Sequence, residues 1–149
     1  MTIRALVDDF VQYILREEGD DLDVLVAWLD RLAASMESVI FHFDETEYPD
    51  APERQYKKLS ELISRRFPSL SYYNVTTAEF GDTKKAEILV ADAVDDLADI
   101  TLELIDVQWY FENTSESNAL WHYENGYRFH WARHLRDLQS YLLHARWGI

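Results

Sequence analysis

The sequence predicts an all-α fold: a single-domain bundle of about five helices spanning 1–149, with an irregular or short extended insertion near 68–90. Three observations predict it. Apolar residues recur at helical spacing through five long segments. Four glycines and three prolines in 149 residues supply too little turn chemistry for a sandwich or barrel of many strands. The chain is 48% hydrophobic, with 7 Phe, 5 Trp and 9 Tyr, which provides a core and excludes a disordered chain.

Ile3, Leu6, Val7, Phe10 and Ile14 share one face, so 2–17 reads as an amphipathic helix ended near Gly19. Asp20 and Asp21 suit the start of a second helix over 21–43, where carboxylates meet orphan amides and the positive dipole end. Its stripe is Leu25, Trp28, Leu29, Leu32, Met36, Val39 and Phe43. A polar loop follows over 44–50, and Pro52 fits the first turn of a third helix over 52–66, with Tyr56, Leu59, Leu62 and Ile63 inward and Pro68 closing it. The run 71–77, Ser-Tyr-Tyr-Asn-Val-Thr-Thr, is rich in strand formers and leads to Gly81. A fourth helix over 92–111 carries an apolar face opposite an acidic stripe of Asp92, Asp95, Asp99, Glu103 and Asp106. After a polar turn over 112–118, a fifth helix over 119–145 has Tyr123, Tyr127, Trp131, Leu135, Leu138, Tyr141 and Leu142 on one face. Gly126 inside it costs about 1 kcal/mol relative to Ala, which predicts close packing or a bend.

Composition narrows the function classes. Lys and Arg number 14 against 28 Asp and Glu, and the net charge of −14 disfavours nucleic acid and anionic membrane surfaces and favours a basic protein partner. The absence of cysteine excludes thiol catalysis, disulfides and zinc-thiolate or iron–sulfur sites. No apolar run approaches the ~20 residues of a membrane span and the start resembles no signal peptide, which leads us to expect a cytoplasmic protein. Phosphate loops, nucleophile elbows and dinucleotide fingerprints do not occur, so no cofactor is implied. The paired Glu-x-x-His of di-iron bundles is missing as well.

The chemistry-bearing residues gather in the last helix and the one before it. His130 and His134 stand at i, i+4, the spacing of a zinc-protease helix, but Trp131 replaces the Glu that would act as general base. Both fall within the aromatic stripe, which predicts that they point into the bundle. In an antiparallel hairpin of these helices, facing residues sum to about 230, which sets Asp96 level with His134 and Asp99 near His130. Three readings follow for Asp96, Asp99, His130 and His134. A carboxylate satisfies a buried imidazole, whose bare polar group would cost ~1–3 kcal/mol; or the group is a metal or catalytic site, with His130, His134 and Asp96 as ligand candidates; or it is a pH switch. The acidic stripe reads as a solvated face or a docking surface for a basic partner. The five basic residues of helix three, Arg54, Lys57, Lys58, Arg65 and Arg66, are expected to neutralise acidic segments such as 44–50.

Asp95-Asp96-Leu97-Ala98-Asp99-Ile100, then Trp121-x-Tyr123, then Phe129-His130-Trp131-Ala132-Arg133-His134-Leu135, resembles the C-terminal signature of a bacterial family, the domain of unknown function 5063. The family pattern reads Asp-Asp-Leu-Ala-Asp-Ile-Tyr, then Trp-x-Trp, an aromatic pair and Ile-His-Trp-Gly-x-His-Leu. Thr101, Tyr123, Asn125, Phe129 and Ala132 depart from it. The resemblance is specific over 90–138 and weaker over the first three helices. It implies an all-helical bacterial protein and supplies no activity, and Asp96, Asp99, His130 and His134 are its matching polar positions. The preferred reading of the sequence is a non-enzymatic acidic interaction or regulatory module. Its rival is a metal-dependent hydrolase-like enzyme using His130 and His134 with Asp96 or Asp99. A third reading is an immunity protein or nucleic-acid mimic binding a basic partner.

Overall fold

Helix formation follows the apolar stripes, and capping sets several of the boundaries. The computed structural model describes residues 1–77 and 83–148; Gly81 of the expected insertion lies outside the described residues. Helix α1, Ile3–Arg16, begins where the Thr2 hydroxyl accepts from Ala5 N, and buries Leu6, Val7, Phe10 and Ile14. Helix α2, Leu22–Ser35, begins at the Asp21 carboxylate, which accepts from Asp23 N at 2.8 Å. A 3₁₀ turn, Met36–Ser38, ends it. This helix is shorter than expected. Beyond Ser38 the run Val-Ile-Phe-His-Phe is poor in helix formers, and the backbone turns extended at Val39, leaving Phe43 66% exposed.

The chain then runs without regular structure to Gln55, pinned at two points. Asp44 accepts from Thr46 N, from the Tyr48 hydroxyl and from the Ser115 hydroxyl, and Ala51 N donates to the Tyr110 hydroxyl. Helix α3 is therefore confined to Tyr56–Arg66, four residues later than Pro52 suggested, and Arg54 stays free to reach helix α4. Strands β1, Tyr72–Thr76, and β2, Ile88–Asp92, form an antiparallel hairpin with Tyr72 opposite Asp92 and Thr76 opposite Ile88. The expected insertion is thus a two-stranded ribbon.

Helix α4, Ala93–Asn113, is the axis of the molecule: α1, α3, α5 and α6 all pack on it. It is capped by Asp92, whose carboxylate accepts from Val94 N. Helix α5, Glu116–Gly126, capped by Ser115, continues through a π-helical turn, Tyr127–Trp131, into helix α6, Ala132–Trp147, which Gly148 ends in a left-handed conformation. These three make one rod, so the architecture is five helical rods with a hairpin. The buried side chains, from Leu6 to Leu142, form one apolar cluster. Among the described residues no helix is long and apolar enough to cross a membrane.

Candidate functional site

Helical spacing places Asp95, Asp96, Asp99, Glu103 and Asp106 along one side of α4. The acidic stripe expected over Asp92, Asp95, Asp99, Glu103 and Asp106, which Asp96 borders, is engaged by the chain's own groups: Asp92 caps α4 and the other four meet side chains from other elements. Glu103 is 9% and Asp96 only 4% exposed. His134 Nδ1 lies 2.8 Å from Asp96 Oδ1 and its Nε2 lies 3.2 Å from Asp99 Oδ2. The second oxygen of Asp96 accepts from the Tyr73 hydroxyl of β1. Asp95 accepts from the Tyr56 hydroxyl of α3. One helical turn along, His130 Nδ1 stands 3.2 Å from Glu103 Oε1, while Arg54 Nη2 reaches Glu103 at 3.3 Å and Asp106 at 2.8 Å.

The spacing rule therefore located Asp96 against His134 and misplaced Asp99, which shares His134, whereas His130 meets Glu103. His130 does not point into the bundle either; its side chain is 67% exposed. The π turn is the cause. In an unbroken α-helix Tyr123 and Trp131 would differ by about 80° around the axis; the extra residue brings them to within about 20°. Both are fully buried, their rings stacked 5.4 Å apart, and the histidines are left at the edge of the apolar face. Gly126 supplies the close packing expected of it: a Cβ there would stand 2.8 Å from Glu103 Oε2.

Arg54, Asp99, Glu103, Asp106, His130 and His134 wall a polar cleft of about 500 Å³, with Asp95 and Asp96 adjoining it through Asp99 and His134. Its electrostatics are uneven. The Asp96 carboxylate raises the His134 imidazole above its ordinary pKa, opposed by burial and aided by Asp99. Burial raises the Asp99 carboxyl, with Asp95 adding to the effect, and raises Asp106 despite Arg54. Burial lowers His122, whose ring stacks on Tyr110 at 3.8 Å. Tyr56 and Tyr73 are both pushed up, the first mainly by its bond to Asp95 and the second mainly by burial, so both remain donors to their carboxylates. Ligand atoms of Asp95, Asp99 and His134 all lie within 4.8 Å of one another.

Arg54 and Tyr73 carry no site signal in the sequence, Tyr56 is 42% exposed and bonded to Asp95 instead of pointing inward with Leu59 and Ile63, and Asp95 and Glu103 are legible only as members of an acidic face. The equal i, i+4 steps of Asp99 with Glu103 and His130 with His134 carried a signal for the second rung. Arg54 carried none, because an irregular segment delivers it; nor is it spent on the 44–50 loop as expected.

The family model described as Domain of unknown function (DUF5063) matches residues 21–147. The chain belongs to the DUF5063 family. The match takes in every element from α2 onward and all the cleft residues named here. The crystal structure of protein BF1032 from Bacteroides fragilis is similar in fold to this DUF5063 chain, with a TM-score of 0.75 at 14% identity, covering 98% of this chain and 90% of that one. No curated protein matches the sequence.

Proposed function

We propose that the cleft is a metal-dependent hydrolytic site in which His134, Asp99 and Asp95 hold a divalent ion of the zinc or manganese class. The observation that carries this reading is the convergence of their ligand atoms within 4.8 Å while the other nitrogen of His134 is bonded to buried Asp96. A carboxylate on the far nitrogen fixes the tautomer and orients the ring toward an ion. Mixed imidazole and carboxylate donors suit zinc or manganese, and three protein ligands leave a position for water. Bound there, such an ion would supply an activated water, and Glu103 with His130, one turn away, would be the groups placed to accept a proton from it. Protein purified without chelator or metal-affinity tag should contain, or take up from micromolar zinc or manganese, one ion per chain. Asp99→Ala and His134→Ala should each abolish uptake, and affinity should fall below neutrality as protons compete for Nε2. Failure to take up either metal stoichiometrically overturns the reading.

A second reading, the acidic interaction module, is favoured by a different place. With the α4 stripe engaged by its own chain, and Asp23 of α2 paired with Arg146, Glu17, Glu18, Asp20 and Asp21 form an exposed acidic run between α1 and α2. A basic partner docked there should be lost at 0.5 M salt, since exposed pairs are screened. Binding that is indifferent to salt would count against it.

A further inference from the structure

Arg54 and Asp106 border two concavities. On one side is the polar cleft; the other is an apolar pocket of about 290 Å³ lined by Leu15 of α1, Leu59 and Leu62 of α3, and Leu102, Ile105 and Trp109 of α4. Its lining sits where three helices meet the segment entering α3, and only a few polar groups converge on it, the pattern of a small-molecule site. Those groups decide which molecule. Asp106 is paired with Arg54 at 2.8 Å, and Arg54 is further engaged by Glu103. Lys58 borders the pocket from the face of α3 that also carries Leu59 and Leu62, and Gln55, the residue that precedes the helix, borders it at the α3 entrance. Lys58 is exposed and has no ion-pair partner among the described residues. Glu53 is the remaining charge at this border and comes from the irregular segment rather than the helix face.

We propose that this pocket binds a medium-chain alkyl carboxylate, its tail among the leucines and Trp109 and its carboxylate on the Lys58 ammonium and the Gln55 amide. The stem of a lysine lies along apolar surface while its charge stays at the water boundary, which suits it to holding the head of a molecule whose tail is buried beside it. The inference is independent of any metal in the polar cleft, because none of the proposed ligands contributes to this pocket.

The test titrates the intact chain with decanoate, and separately with decylammonium and decanol, following heat and indole fluorescence. Decanoate should bind saturably at one site per chain, and the fluorescence change should disappear in Trp109→Phe. Lys58→Glu alters an exposed side chain and should fold normally; it should weaken decanoate by about tenfold or more, as loss of an attractive charge and gain of a repulsive one require. Leu62→Trp, which fills the pocket from its half-buried edge, should block binding. Absence of saturable binding overturns the proposal, as does decylammonium binding as tightly as decanoate, which would make Glu53 the recognising group. An unchanged affinity in Lys58→Glu overturns it too.

Discussion

His134 is held at both ring nitrogens, and the two contacts differ in kind. Asp96, nearly inaccessible to water and bonded by Tyr73, is a fixed acceptor, whereas Asp99 is 35% exposed at the edge of the cleft. A group with a raised folded pKa contributes stability that is complete below its unfolded value, about 6.5 for histidine, and is lost as pH rises through the folded value. Asp96→Ala should therefore cost about 1–3 kcal/mol near pH 6, because the buried partner atoms lose their acceptor, and less at pH 9. Denaturant midpoints at the two pH values check this, and an equal cost at both would contradict it. Proton NMR of the imidazole should show His134 titrating lower in the variant. Of this arrangement the sequence disclosed one contact, between Asp96 and His134, because helical phase and hairpin level are periodic properties. Tyr56, Tyr73 and Arg54 arrive from a helix start, a strand and an irregular segment, whose positions no period encodes.

The elements themselves were legible where a stripe and a cap coincide. Helices α1 and α4 begin and end within two residues of the predicted limits, since Thr2 and Asp92 supply their caps. The end of α2 was legible only in the helix-poor run after Ser38, which the apolar stripe through Val39 and Phe43 masked, and the start of α3 was not legible, because what competes with the helix there is tertiary: Asp44 binds Ser115 and Ala51 binds Tyr110, both distant in the chain. Ser115 serves twice, capping α5 through Asn118 N and donating to Asp44. Ser115→Ala should cost about 1 kcal/mol through the lost cap. It should also raise the Asp44 pKa, which the Ser115 bond, followed by those of Thr46 and Tyr48, holds well below the usual carboxylate range. A depressed carboxylate gives stability that is present above its unfolded pKa and lost as pH falls through the folded one. Acid unfolding of the variant should thus begin at higher pH, measured by circular dichroism between pH 5 and 2, and an unshifted acid limb would refute the link. The π turn was invisible for another reason: its single extra residue changes phase without changing composition.

A net charge of −14 acts on the whole fold through mutual repulsion, and the site adds a local pH dependence of the same sign. His134, Asp99 and Asp106 all have raised folded pKa values, so each contributes stability that declines as pH rises through its folded value. Lowering the pH from 8 toward the sequence pI of about 4.6 removes long-range repulsion and recovers the His134 contribution, while those of Asp99 and Asp106 become complete only toward their unfolded value of about 3.9. Below about pH 4 the depressed carboxylate of Asp44 reverses the trend. Thermal stability should therefore peak on the acid side of neutrality, between about pH 5 and 6. Salt separates the two causes. At 0.5 M ionic strength the screening length falls well below the ~10 Å of 0.1 M, so repulsion across the molecule is suppressed while the 2.8 Å contact of His134 with Asp96 is not. Melting curves from pH 5 to 9 should lose most of their slope in high salt, and the slope that persists should shrink in Asp96→Ala. If the peak lay at pH 8, the buried carboxylates would have to be better solvated in the fold than outside it, which their half-buried positions on α4 contradict.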